Sequence, residues 1–145
     1  MKRSRSCRIG LLAVLAAACS SPTQQSASSV VDVAGEGSVL FVAQNAIPNS
    51  FMDALFVGRV VADGDGCLRL DGPDPATVVW PFRFSLDGQG RVLDSLGVEI
   101  GRIGESFSLG GGEVVLHDGI AMSQADKQLA EASCPGRFWI VGDVL

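Results

Sequence analysis

The chain has 145 residues and a formal net charge of −5 at pH 7, with 11 Lys and Arg against 16 Asp and Glu. This length indicates a single domain with a core of modest size. An acidic chain repels phosphate backbones, and its arginines are dispersed rather than clustered. We therefore expect no binding to nucleic acid.

The N-terminal segment has the order of a secretory signal. A basic head comes first, then an apolar run over residues 9–18, and then Cys19 behind three alanines. Ten apolar residues are too few for a helix that crosses a bilayer, which needs about 20. The head contains Lys2, Arg3, Arg5 and Arg8.

The small residues in front of Cys19 resemble the lipobox of bacterial lipoproteins. Ala16 stands three positions before the cysteine, where Leu is more common in that family. The resemblance implies cleavage before Cys19, a diacylglyceryl group and fatty acyl chains such as palmitate on it, and anchoring to the cell membrane or outer membrane. Such an anchor is stable because it carries two or more acyl chains. Cleavage after Ala18 without lipidation is the alternative.

Removal of the signal, residues 1–18, would leave 7 Lys and Arg against 16 Asp and Glu, a net charge of −9. Residues 19–35 are rich in Ser, Gln, Ala, Thr and Pro and lack the periodicity of a packed element. They predict a flexible tether. We expect residues 36–145 to form one small domain, a β-barrel by the patterns described below.

Two cysteines remain for that domain, because Cys7 leaves with the signal and Cys19 is the expected lipid site. Cys67 and Cys134 each precede a strand-like run, and an exported domain favours their pairing. The disulfide would contribute about 4 kcal/mol in the chain-entropy model. The alternative is a redox or metal-binding pair. It is disfavoured because the two cysteines lack a Cys-x-x-Cys spacing, and because two thiols with one His make a poor set of zinc ligands. We expect no metal and no other cofactor.

Short apolar runs between turn signals predict a mainly β domain. Residues 52–62 are apolar on both faces, which favours a closed or covered sheet. Residues 63–66 and 87–90 predict turns, and residues 110–112, three glycines, predict a sharp turn or a barrel corner. The other strands are expected at 38–44, 67–71, 77–80, 91–93, 98–103, 103–109, 113–116 and 138–141.

One helix is predicted near the C-terminus. Ser123 is its expected N-cap, and Asp126 completes a variant of the capping box. Ala125, Leu129 and Ala132 fall at helical spacing and predict a small apolar face. Pro135 ends the helix.

The hairpin from residues 56–60 to 67–70, followed by residues 103–111, resembles the strands of small OB-type barrels. Residues 66–70 and 79–81, with the three glycines, are similar to small β-barrel domains of uncharacterised bacterial lipoproteins. The expected fold is a small, partly open β-barrel (OB-like) with one short helix before the last strand. OB folds usually place the helix between the third and fourth strands, so another barrel topology or a small sandwich is an alternative. The resemblance implies no activity.

Few residues suggest catalysis or metal binding. His117 could serve a hydrolase beside Ser106 or Ser108, yet no Gly-x-Ser-x-Gly motif occurs. Asp63 and Asp65 begin like a calcium loop, but the Gly and Glu that such a loop needs later are absent, so a hairpin turn is favoured.

Aromatic residues give the remaining binding hypothesis. Trp80, Phe82 and Trp139 would form a stacking platform for a glycan or small molecule if exposed, but core packing is the favoured interpretation because the domain has few other large side chains to fill its interior. The leading interpretation is a non-catalytic, lipid-anchored envelope protein that binds another protein, such as an envelope protein, or another ligand at the cell surface or in the periplasm. A glycan or small-molecule binding module is the alternative, followed by a hydrolase that uses His117.

Overall fold

The computed structural model describes residues 26–50 and 52–145, and it is mainly β, with 45% strand and 8% helix. The strands are β1 Ser29–Val33, β2 Gly37–Ala43, β3 Ala54–Ala62, β4 Leu68–Leu70, β5 Thr77–Trp80, β6 Ser85–Leu86, β7 Arg91–Leu93, β8 Glu99–Arg102, β9 Ser106–Val114 and β10 Phe138–Val144. The helix is α1 Gln124–Ser133.

Five of these strands close into a barrel. Around the ring the order is β3, β4, β5, β10 and β9, and β9 pairs again with β3. Strands β5 and β10 run parallel, with Thr77 opposite Phe138, whereas the other four pairings are antiparallel. The prediction of a mainly β barrel with one short helix before the last strand is confirmed.

A hairpin of β1 and β2 extends the sheet beside β5. Val42 of β2 lies opposite Val79 of β5 in a parallel pairing. Strand β1 falls inside the range 19–35 that the sequence analysis assigns to a tether, so that assignment is wrong for Ser29–Val33. Its residues are ordered because Val33 is buried in the barrel core. Cys19, the signal and the rest of the tether up to residue 25 lie outside the described residues.

Strands β6, β7 and β8 form a separate three-stranded sheet. Two turns beside these strands have the same hydrogen-bonding pattern as the predicted turn at residues 63–66, so three turns share it. In each, an Asp carboxylate accepts backbone N–H groups two and four residues ahead, and a Gly three residues ahead has a φ between 75° and 79°. The aspartates are Asp63, Asp87 and Asp94. The third turn was not predicted, although its Asp-x-x-Gly spacing is the same.

The three glycines lie inside β9 rather than in a turn. Strand β9 continues through them to Val114, so the prediction of a sharp turn is wrong. The glycines permit close strand contact, since a Cβ on Gly111 would collide with the carbonyl oxygen of Ile140. Opposite them, the register of β10 shifts between Val141 and Asp143. Such an irregularity bends a sheet locally, as barrel closure requires.

The barrel interior is filled by aromatic and aliphatic side chains. Trp80 is 0% exposed, stacks on Phe41 at 5.6 Å between ring centroids and meets Phe107 edge-on. A second cluster lies outside the barrel, between the sheet and α1. It contains Leu40, Val42, Val79, Ile140, Ala130 and the disulfide cysteines.

The predicted disulfide is confirmed. Cys67 and Cys134 are bonded, with their Cα atoms 5.7 Å apart, and both are fully buried. The bond joins the turn before β4 to the C-terminal end of α1. It therefore holds the helix against the barrel.

Helix α1 starts as predicted but turns a different face to the barrel. Ser123 is its N-cap, and the Ser123 hydroxyl accepts the backbone N–H of Asp126. Ala125, Leu129 and Ala132 are exposed, so the predicted apolar face is wrong. The helix instead buries Asp126, Lys127 and Ala130. Asp126 can be buried because its carboxylate accepts several hydrogen bonds.

Candidate binding surface

The structure does not assemble an aromatic platform from Trp80, Phe82 and Trp139. Trp80 is enclosed in the barrel and cannot stack on a ligand at the surface, so the prediction is wrong for this residue. Trp139 is half-buried and packs inward beside Phe56, with ring centroids 6.2 Å apart. Phe82 is half-buried in the turn after β5. Core packing accounts for the two tryptophans because they fill the interior of a small barrel.

His117 lies apart from the serines that a hydrolase would need. It is exposed in the loop after β9, and its Nδ1 accepts the backbone N–H of Gly119 at 3.0 Å. Ser106 is the first residue of β9, and Ser108 is the third. A strand rises roughly 3.3 Å per residue, so neither serine comes within hydrogen-bonding distance of His117.

The Asp63 carboxylate is engaged by its own hairpin. It accepts the backbone N–H groups of Asp65 and Cys67 and pairs with the Arg69 guanidinium at 2.5 Å. Burial raises the pKa of Asp63, but the hydrogen bond from Arg69 and those from the backbone outweigh burial and lower it. The geometry is that of a stabilised turn. Over residues 26–50 and 52–145, no three or more acidic, His or Cys side chains converge on a metal site.

An exposed apolar region of the surface lies across β3, β9 and β10. Leu55 and Val57 of β3 point outward and are 59% and 67% exposed. They stand opposite Gly110 and Ser108 of β9. Because glycine has no side chain and serine a small one, space is left beside Leu55 and Val57. A cavity of about 450 Å³ adjoins them, and its lining includes Met52, Asp53, Leu55, Gly110, Asp143 and Leu145. We call this cavity, together with the exposed Val57 beside it on β3, the trough.

The alternation of β3 explains the trough. Phe56 and Val60 point into the barrel, which forces Leu55 and Val57 to the outside. Apolar residues on both faces of residues 52–62 predicted a closed or covered sheet. The structure closes the sheet, but no described element covers the outer face of β3 at Leu55 and Val57.

The rim of the trough is acidic. Asp53 and Asp143 line it, and no Lys or Arg is among the described lining residues. Arg59, the next outward-facing residue after Val57, is paired with Asp71 at 2.6 Å. The surface therefore combines exposed aliphatic side chains with negative charge.

A second cavity, of about 510 Å³, lies between the loops that follow β2 and β9. Its walls include Ile47, Ile120 and Ile140, with His117 at its edge. Gln44 also lines it and is 1% exposed, and its amide Nε2 donates to the carbonyl oxygen of Val141 at 2.9 Å.

No known protein family model, curated protein or solved structure matches this chain. Within the described part of the chain, no helix combines the length and apolar character that crossing a membrane requires.

Proposed function

We propose that this protein is a lipid-anchored, non-catalytic binding module of the cell envelope, and that its trough holds a segment of a partner protein. The resemblance of the Cys19 region to a lipobox supports the anchor. The Cys67–Cys134 disulfide supports export, because disulfides persist in oxidising compartments. The observation that carries the binding role is the exposed apolar trough, since such surfaces mark interaction sites.

The chemistry of the trough defines its partner. Leu55, Val57 and Leu145 favour apolar side chains, and Asp53 with Asp143 favours a cation beside them. The partner segment is therefore aliphatic with a flanking Lys or Arg. A second copy of this chain is a poor occupant because the mature form carries a net charge of −9, so two copies repel.

A small-molecule binding module is the second candidate. The cavity beside His117 supports it, since its volume of about 510 Å³ and its apolar walls suit a drug-sized ligand. The trough favours a polypeptide because it is shallow and bordered by charge.

We infer that the barrel is of the OB type, which is a five-stranded Greek-key barrel. Five strands in the ring support this assignment. The position of α1, directly before the last strand, departs from the usual OB pattern.

Mass spectrometry of the mature N-terminal peptide tests the anchor. We expect a peptide that begins at Cys19 and carries a diacylglyceryl group. An unmodified mature N-terminus would contradict the anchor while leaving the trough untouched.

Crosslinking in intact cells, followed by affinity capture, tests the trough. We expect a protein captured by the wild type to be lost with Leu55→Asp, because the complex would bury the new carboxylate against the aliphatic side chains of the partner. Val30→Asp is the matched control, since Val30 is 66% exposed on β1 outside the trough. Identical captured proteins for wild type and Leu55→Asp would contradict the proposal. Cys19→Ala shows whether capture also needs the anchor.

A further inference from the structure

A third cavity, of about 240 Å³, joins the start of the described chain to the turn after β5. Ser26 and Ala27 line one side. Phe82, Arg83 and Phe84 line the other. The turn therefore lies where the polypeptide from Cys19 enters the domain.

The backbone of this turn is unusual. The N–H of Phe84 donates to the carbonyl oxygen of Pro81 at 3.2 Å, which closes a tight turn. Arg83 has a φ of 67° and is the one non-glycine residue with a positive φ in the described ranges. Glycine or asparagine would adopt this conformation with less strain. Strained residues cluster at functional sites, which directs attention to the Arg83 side chain.

The guanidinium of Arg83 is exposed and lies over the Phe82 ring, 5.0 Å from its centroid. Each of the other described arginines forms an ion pair with an Asp or Glu, whereas Arg83 has no carboxylate within ion-pair distance in that part of the chain. Its charge is thus available to an external anion.

The distance to the membrane is limited by the chain. Ser26 donates its hydroxyl to the Asp126 carboxylate at 2.5 Å, and the Ser28 N–H donates to the same carboxylate at 3.2 Å. These contacts fix the entry point of the chain on the domain. Seven residue steps separate Cys19 from Ser26, and even fully extended they span at most about 25 Å. An acylated Cys19 therefore keeps Ser26 and the neighbouring turn close to the headgroups.

We propose that the turn at residues 81–84 rests on the membrane that holds the anchor. Arg83 binds the phosphate of anionic lipid headgroups, and Phe82 lies at the edge of the acyl region. Cations and aromatic rings are the side chains that favour this interface. This inference depends on the proposed acylation of Cys19, and it gives the domain a fixed orientation on the membrane.

The test uses the full acylated protein in vesicles of phosphatidylcholine and phosphatidylglycerol that contain brominated lipid. Bromine quenches nearby indole rings, so Phe82→Trp reports the depth of the turn after the signal of Trp80 and Trp139 is subtracted. Val57→Trp is the matched control, because β3 lies two strands from β5, the largest separation in the ring. We expect quenching at position 82 to exceed that at position 57 by about twofold or more, as interfacial burial requires.

A second substitution tests the charge. Arg83→Asn in the Phe82→Trp protein tolerates the positive φ and removes the cation. We expect it to reduce quenching at position 82, and Arg83→Lys to retain it. Equal quenching at positions 82 and 57 in protein whose Cys19 acylation is verified by mass would overturn the inference alone. Absence of acylation would overturn the proposed anchor instead, and urea unfolding of each variant verifies the fold.

Discussion

The outer surface of the barrel has two contrasting sides. On one side, α1 packs over β2, β5 and β10, and Leu40, Val79 and Ile140 are buried beneath it. On the other side, Leu55 and Val57 of β3 have the same aliphatic character but remain exposed. The strands alone therefore do not decide which outer face is covered.

The difference separates stability from recognition. Burial of an aliphatic side chain stabilises the fold by about 1.5–3 kcal/mol, which the covered side gains and the trough does not. The exposed aliphatic residues of β3 do not stabilise the folded domain in this way. Their most direct explanation is contact with another molecule, as our proposal holds. The following changes test this contrast.

Removal of the disulfide should have the largest effect on the covered side. The bond links residues 67 positions apart, so Cys67→Ser combined with Cys134→Ser should lower the free energy of unfolding by about 4 kcal/mol. Urea unfolding of the oxidised wild type and the double variant measures this difference. Reduced wild type should behave like the variant. Equal stability in oxidised and reduced wild type would show that the bond does not hold α1 in place.

The same substitution on the two sides compares them directly. Leu40→Ala should lower the free energy of unfolding by about 3 kcal/mol, because Leu40 is 6% exposed beneath α1. Leu55→Ala should change it by less than about 0.5 kcal/mol, because Leu55 is largely exposed. Chemical denaturation measures both. A comparable loss in the two variants would mean that the trough is covered in the folded domain.

Acid should loosen the contact between α1 and the start of the domain. Burial raises the pKa of Asp126, but hydrogen bonds from Ser123, Ser26, Asn45 and Ser28 outweigh it and lower the pKa from 3.8 to about 2. Because the folded state holds the proton less tightly, this stabilisation is present above about pH 4 and is lost as the pH falls through 2. It amounts to about 2 kcal/mol.

Asp126→Asn isolates this contribution. The difference in unfolding free energy between wild type and variant should shrink between about pH 4 and pH 2, measured by urea titration at each pH. Glu131→Gln is the control, since Glu131 is exposed on the same helix. A difference that stays constant over this range would show that the Asp126 carboxylate is not selectively stabilised by the fold.

The smallest effect concerns the outer face of α1. Leu129 is 40% exposed there, so Leu129→Gln should change the midpoint of thermal unfolding little, with a free-energy change below about 0.5 kcal/mol. A large drop in the melting temperature would instead support the apolar face that the sequence predicts. Differential scanning calorimetry distinguishes the two.

Local signals in the sequence predicted much of this fold. The turn at residues 63–66 and the N-cap Ser123 depend on contacts within a few residues, and the structure places them as expected. The apolar run at residues 77–80 likewise predicted strand β5. The disulfide was also predictable, because the expected signal and lipid site account for the other two cysteines and leave Cys67 and Cys134 to pair.

Features set by distant contacts were not predictable. The buried face of α1 is fixed by hydrogen bonds from Ser26 and Ser28 to Asp126, about one hundred positions away in sequence. The glycines of β9 look like a turn until β10 is placed beside them. Likewise, the pattern of β3 shows that two faces are apolar, but it does not show which of them a neighbouring element covers.

A photo-crosslinking residue at position 57 of the full protein in intact cells tests the central claim most directly. Val57 lies on the exposed side of β3. Position 96 is the matched control, because Leu96 is 86% exposed in the turn between β7 and β8. We expect a discrete crosslinked protein at position 57 that is absent at position 96 and is lost when Leu55→Asp is added. The same crosslinked species at both positions, or none at position 57, would contradict it.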